Sequence, residues 1–163
     1  MSLHALRTIT SPAIRTKRKL ARRRTKLQPF HHEPLTDPAR QIRLFRILPE
    51  STDTQLKLQL ETHDLDADLA KTGIPNVAPP FVAVSYMWGI KTRVQSITVN
   101  GKSLDVTANC RYALWQAFRC PLVPLDGHIW VDSICINQGD LREKSEQVKI
   151  MGSIYRKATN VLA

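Results

Sequence analysis

The chain has 163 residues, 42% of them apolar, enough for a single domain with a buried core. No apolar run approaches the ~18 residues that a membrane-spanning helix needs, so the sequence excludes such a span. The formal charge of +10 is concentrated: nine of the 24 Lys and Arg residues lie in positions 1–29 with no acid among them, leaving 15 basic against 14 acidic residues elsewhere, so the basic balance describes a tail and not the folded part.

Residues 1–32 read as a basic arm. In IRTKRKLARRRTKL (14–27) the charges repel one another and there is little to bury, which predicts disorder in isolation. Such an arm serves as a nuclear-localisation or nucleic-acid-binding segment, as a mitochondrial presequence (Arg-rich, with Ser and Thr and no acid), or as a solvated tail. No aromatic residue lies between positions 1 and 29, so base stacking has nothing to use there, and nucleic acid is not expected as a partner except through this arm.

Residues 33–80 read as strands and a linker leading into the main domain. QIRLFRILPE (41–50) alternates, with Ile42 and Leu44 apolar and Arg43 polar, and Pro49 ends it. LKLQLE (56–61) places Leu56, Leu58 and Leu60 on one face, as an antiparallel or edge strand with a wet side would. HDLDADLA (63–70) imitates the opening of a calcium loop, but Leu69 and Pro75 stand where that loop needs Gly and Glu, so it reads as a solvated turn. KTGIPNVAPP (71–80) is a loop.

FVAVSYMWG (81–89) opens with a continuous apolar run, the pattern of a strand covered on both faces, and exits through Ser85, Tyr86, Trp88 and Gly89. QSITVNGKSLDV (95–106) predicts a hairpin, because Asn100-Gly101 suits a type I′ turn, and Ile97 then faces Leu104. A helix follows, capped by Thr107 or Asn109, with Cys110, Ala113, Leu114, Ala117 and Phe118 at helical spacing and Pro121 and Pro124 beyond it. HIWVDSICI reads as the next strand, placing Asp132 on the face of Trp130 and Ile134. Asp140 with Glu143 resembles a capping box opening a second helix, whose expected buried face is Val148, Met151, Ile154, Tyr155 and Ala158. TNVLA starts another strand. From residue 81 the order is strand, hairpin, helix, strand, helix, strand, which predicts an α/β fold with a parallel sheet carrying an inserted β-hairpin.

In open α/β sheets ligands gather at the carboxyl ends of the strands. The exits SYMWG and INQGD meet there, so Ser85, Tyr86, Trp88, Gly89, Asp132, Cys135, Asn137, Gln138, Asp140 and Glu143 form the expected pocket or motif cluster. A buried Asp132 needs a partner, with Ser85, Tyr86 or a backbone N–H of the next helix start as candidates; tying two loops together is the alternative to a pocket. Cys135 has no His fixed beside it and reads as a small buried residue, and His128 as a polar edge residue. Cys110, Cys120 and Cys135 are odd in number and lack CxxC spacing. That argues against a disulfide framework or zinc site and for a reducing, intracellular compartment. No metal is expected, and with neither GxGxxG nor a P-loop among the six glycines, enzymatic activity finds little support in this chain alone.

Three blocks carry a resemblance. VSYMWG, ITVNGKSLDVTANCRYAL and IWVDSICINQGDLREKSEQVKIMGSIYRKATNV resemble the fungal heterokaryon incompatibility (HET) domain, whose motifs run A-L-S-Y-x-W-G; I-x-V-N-G-x-x-L-x-V-T-x-N-L-x-x-A-L; and L-W-I-D-A-I-C-I-N-Q-x-D-x-x-E-R-x-x-Q-V-x-x-M-x-x-I-Y-x-x-A. The likeness covers residues 81–163, with a weaker echo in EPL and QIRLFRILP. Val84, Ser133 and Lys144 depart from the usual Leu, Ala and Arg. That family's domain continues beyond the equivalent of Ala163, so the resemblance implies the front part of a HET domain, incomplete at its C-terminus, with an unfinished sheet edge prone to aggregation.

HET domains in turn resemble Toll/interleukin-1 receptor (TIR) domains. That comparison implies a TIR-like, flavodoxin-like fold, with VAVSY as the first strand and INQGD near the loop used for assembly and nucleotide access. Some TIR domains cleave NAD with a Glu on a later helix, which here would lie past Ala163; Glu143 reads instead as a cap. The family implies fungal non-self recognition ending in programmed cell death, with protein partners of the incompatibility system and self-association. A NAD-cleaving hydrolase and an arm-mediated nucleic-acid binder are the alternatives. NAD enters only through the TIR comparison. A cytoplasmic location is expected, or a nuclear or mitochondrial one through residues 1–29.

Overall fold

The computed structural model describes residues 27–66, 76–90, 94–124 and 126–163. In chain order these form β1 (Gln41–Ile47), β2 (Lys57–Asp64), β3 (Phe81–Val84), β4 (Val94–Val99), β5 (Lys102–Thr107), α1 (Ala108–Arg119), β6 (His128–Trp130), the one-turn α2 (Asp132–Cys135), α3 (Leu141–Lys157) and β7 (Asn160–Leu162). The strands make one sheet in the order β5-β4-β2-β1-β6-β3-β7.

The sheet is mixed, where a parallel one was expected. β3 runs parallel to both β6 and β7, the predicted arrangement, but β1 is antiparallel to β2 and to β6. The strands of 33–80 therefore sit at the centre of the sheet, and residue 81 marks no break in it. Composition explains their place: Ile42, Leu44 and Phe45 of β1 are fully buried on alternating sides, as a strand covered on both faces requires. Leu58 and Leu60 of β2 and Leu56 just before it are buried together as predicted, yet β2 lies inside the sheet, with β1 on one side and β4 on the other.

The hairpin forms with Asn100 at φ +48° and Gly101 at φ +75°, and Ile97 opposite Leu104. It is not inserted among the parallel strands but carried to the far end of the sheet, where β4 pairs with β2 over two residues, Lys57 with Thr98 and Leu58 with Val99. Asn100 extends that short ladder. Its Oδ1 accepts from the Leu60 N–H at 2.8 Å and its Nδ2 donates to the Leu60 carbonyl at 3.0 Å, so one side chain acts as another strand residue. Asn100→Ala should remove two part-buried hydrogen bonds and place Ala at a left-handed φ, costing about 2–4 kcal/mol by the usual ~1 kcal/mol for each term and the penalty for unsatisfied groups. Asn100→Gly should cost less, because it relieves φ alone. Urea unfolding of both variants checks this, and equal stability of Asn100→Ala and the parent would sink it.

The basic arm ends earlier than residue 32. Ser103 donates to the Gln28 carbonyl and accepts from the Phe30 N–H, both at 2.8 Å, so residues 28–30 lie along β5. The rest of the arm, residues 1–26, and the calcium-like turn at 67–70 lie outside the described residues.

Thr107 caps α1 through its hydroxyl, which accepts from the Cys110 N–H, and Asp140 caps α3 by accepting from Arg142 N and Glu143 N. The buried face of α3 holds at Ile154, which is buried, and at Met151, Tyr155 and Ala158, which pack against the core, and differs from expectation at Val148. Val148 is 53% exposed, whereas Glu143 and Gln147 are buried with Ile154. The inward stripe 143–147–154 keeps helical spacing but begins with two polar residues, whose burial depends on partners. Gln147 finds two: its Nε2 donates to the carbonyls of Pro38 and Gln41, each at 2.7 Å.

Candidate functional site

The exits of β3 and β6 meet at the carboxyl edge of the parallel strands. β6 ends at Trp130, two residues before Asp132, and the chain turns at once into α2. Asp132 therefore does not share a strand face with Trp130 and Ile134. The cause is local: its Oδ1 accepts from the Ser133 N–H at 2.6 Å, a bond that competes with strand pairing. Asp132 is half-buried, not buried. Its other oxygen, Oδ2, accepts from Trp88 Nε1 at 2.8 Å. The expectation of a partner holds, and a backbone N–H is among the partners, but the side chain that reaches Asp132 is Trp88.

Tyr86 goes to the neighbouring residue. Its hydroxyl donates to Ser133 Oγ at 2.7 Å, and Cys110 Sγ of α1 lies 3.3 Å from the same oxygen. Ser85 donates its N–H to the Leu162 carbonyl at 2.7 Å, fastening β7 to the β3 exit, and its hydroxyl neighbours that of Tyr155. Gly89 has φ +68°, and a Cβ there would come within 2.5 Å of Asn109 Nδ2, which donates to the Met87 carbonyl at 3.0 Å. Glycine is required at 89 by both conformation and space.

The INQGD loop is held from below. Gln138 Nε2 donates to the Asp132 carbonyl at 3.0 Å, and Asn137 Oδ1 accepts from Gly139 N at 3.1 Å. Glu143 does not complete a capping box: the Asp140 N–H goes to the Asn137 carbonyl. The Glu143 carboxylate, on a residue 3% exposed, pairs in two-pronged fashion with Arg43 of β1, at 2.6 Å (Nη1 to Oε1) and 2.9 Å (Nη2 to Oε2), and accepts from Asn137 N at 2.8 Å. Arg43 also donates to the carbonyls of Cys135 (3.0 Å) and Glu33 (2.5 Å), and His32 Nε2 lies 2.7 Å from the Ile134 carbonyl. Burial pushes the Glu143 carboxyl up, but the Arg43 guanidinium and the Asn137 N–H outweigh it and hold it below the ordinary glutamate range.

The predicted residues thus come together in two layers. Tyr86, Trp88 and Asp132 join the β3 exit to α2. Asn137, Asp140 and Glu143 join the α2–α3 loop to β1. Arg43, Ser133, Cys110 and His32 belong to the same constellation and were missed. Its place between Ile42 and Leu44 in QIRLFRI was the one sign of Arg43.

Chemically the cluster is a clamp. Cys135 is fully buried, and burial pushes its thiol up to about 12. Burial likewise raises Cys110 and Tyr86. These groups are held protonated, unsuited to nucleophilic attack. A cavity of about 390 Å³ opens beside the β3 exit, lined by Ser85, Tyr86, Ala113, Gln116, Cys120 and Leu162 among others, with no Asp or Glu among its described lining residues. Glu143, the acid weighed for NAD cleavage, is locked to Arg43.

Comparison with known proteins agrees with the motif blocks. Residues 81–163 match the family model described as heterokaryon incompatibility protein (HET). The chain is 34% identical over 140 residues to heterokaryon incompatibility protein 6, OR allele, of Neurospora crassa, an alignment covering 78% of this chain and 19% of that protein. The chain thus spans about a fifth of that relative's length. No solved structure matches.

Proposed function

The chain belongs to the heterokaryon incompatibility (HET) family, and from that premise we propose that it acts in fungal non-self recognition as part of a module that triggers programmed cell death. The observation that carries this reading is the coincidence of the family match with the clamp. The motif residues Trp88 and Asp132 bond to each other, and the motif residue Tyr86 bonds to Ser133, which with Cys110 stands in this chain where the motif has Ala and Leu. The motif residues are thus spent on shaping one surface at the sheet edge, which suits a module that docks or assembles better than one that turns over a substrate. A TIR-like arrangement is the finer reading, supported by the parallel set β6-β3-β7 with its loops at the carboxyl ends. The partners that fit are proteins of the incompatibility system, including further copies of the chain, in the cytoplasm. Among the described residues no helix is long and apolar enough to cross a membrane.

A chimaera tests the proposal. Residues 27–163 replace the matching stretch of the Neurospora relative, and heterokaryon growth and viability are scored after fusion with compatible and incompatible strains. Death confined to the incompatible fusion is the expected result. A chimaera that accumulates normally but leaves both fusions equally healthy would remove the assignment.

A further inference from the structure

Away from the clamp, three side chains on one face of the sheet converge without a hydrogen-bonded explanation. Glu61 and His63 are two residues apart on β2 and so share a face. His128 opens β6, across β1 from them. One ligand atom from each, a carboxylate oxygen and two imidazole nitrogens, lies within 4.8 Å of the others. The two imidazole rings stand edge to face, 5.7 Å between centroids and 87° apart.

His63 is the decisive member. It is 7% exposed, and among the described residues neither ring nitrogen has a partner in hydrogen-bond geometry, the Asn76 side chain being the polar group beside it. Glu61 Oε2 is 3.9 Å from its Nε2, too far for a hydrogen bond, and the nearby Asn76 amide donates to the Thr62 carbonyl at 2.7 Å. A buried imidazole with only these loose contacts is an under-compensated group. The surroundings point to a cation as the missing partner. Arg46 Nη2 binds Glu61 Oε1 at 3.0 Å, which steadies the carboxylate and leaves Oε2 facing the imidazoles. Asp126 adds negative charge near His128.

We propose that Glu61, His63 and His128 form a divalent transition-metal site, with zinc the ion its donors suit, that ties β2 to β6 across β1. Two imidazoles and one carboxylate are an established zinc donor set, with the fourth tetrahedral position left to water. Bonds of ~2.1 Å put tetrahedral ligand atoms ~3.4 Å apart, so the three groups must draw in by about an ångström. Glu61 and His128 are only partly buried and have room to turn. The Arg46 charge opposes a second cation, so the affinity is expected to be micromolar. The metal would fasten the strands preceding residue 81 to the segment that matches the family. Local spacing in the sequence conceals the site, because His63 and His128 come together only through the sheet.

The test uses the whole 163-residue chain, stripped with a chelator and titrated with zinc chloride near neutral pH by calorimetry, with cobalt(II) absorption as the geometric readout. One equivalent of zinc should bind, raise the melting temperature, and give a tetrahedral cobalt spectrum free of thiolate charge-transfer bands. His63→Ala and His128→Gln should each weaken zinc binding by more than ~100-fold, beyond the 10–100-fold seen for outer-shell partners. His128→Gln, at a half-buried strand start, keeps the proposal testable if His63→Ala fails to fold. Unchanged zinc affinity in a folded His128→Gln protein, a cobalt spectrum dominated by thiolate bands, or no binding by the parent would each overturn it.

Discussion

Arg43→Ala is expected to cost ~3–5 kcal/mol of folding stability, the range for breaking a buried ion pair by removing one partner. Against a typical total of ~5–15 kcal/mol, that leaves the chain marginal. The reason is what remains behind. The Glu143 carboxylate, 3% exposed, would keep only the Asn137 N–H at 2.8 Å, and the carbonyls of Cys135 and Glu33 would lose their donor. Replacing both partners together, Arg43→Met with Glu143→Leu, should cost much less than either single change, because no charge is then stranded. Acid should act through the same pair. The folded Glu143 lies below its ordinary value, so its contribution is fully present above the unfolded pKa of ~4.3 and is lost as pH falls through the lower folded value. Urea unfolding across that window, followed by far-UV circular dichroism, should show Glu143→Gln losing this acid dependence. Single variants within 1 kcal/mol of the parent, an order below which surface pairs fall, would mean the pair is not buried as described.

The same pair shows what a linear reading can and cannot reach. Asn100-Gly101 and the run Phe81–Val84 are local signals, a turn needing two positive φ angles and a strand apolar at every position, and both form as expected. The clean alternation of Leu56, Leu58 and Leu60 likewise placed β2 correctly on one face. Arg43 and Glu143 each had a sufficient local explanation, one as the polar position of an alternating strand and the other as a helix cap. Their partnership spans 100 residues in sequence, so no window contains it. One position of the inward stripe of α3 was misplaced for a related reason: counting apolar letters turned Val148 inward with Met151, Ile154, Tyr155 and Ala158, while Gln147 fills that place by donating to two carbonyls of the β1 approach. The destination of the hairpin was also hidden, since it depends on a two-residue ladder and the Asn100 side chain. Within the clamp, the exits at Tyr86, Trp88 and Asp132 were legible because chemistry at strand ends is a general rule. The change from strand to α2 was not, because Ile129 to Ile136 satisfies both patterns and the Asp132–Ser133 bond decides between them.

Asp132→Ala, placed in the chimaera with the Neurospora relative, is expected to abolish death on incompatible fusion while costing the fold ~2–4 kcal/mol, as two charge-assisted hydrogen bonds at a partly exposed site would. The disparity follows from position. Asp132 is half-buried and Trp88 is 37% exposed, so little core is lost when their 2.8 Å bond is broken. What is lost is the link holding the β3 exit against α2, and with it the shape of the surface that the motif residues build. Trp88→Phe separates packing from tethering, since it keeps a ring over the sheet edge and removes the N–H. If the tether matters, Trp88→Phe should weaken the response and add nothing to Asp132→Ala, because both changes delete the same contact and contacting residues are not additive. Trp88→Ala should go further and compromise folding as well. Killing scored beside protein level and thermal unfolding distinguishes these effects. An Asp132→Ala protein that accumulates normally and kills as well as the parent would show that the clamp shapes the fold without shaping the signal.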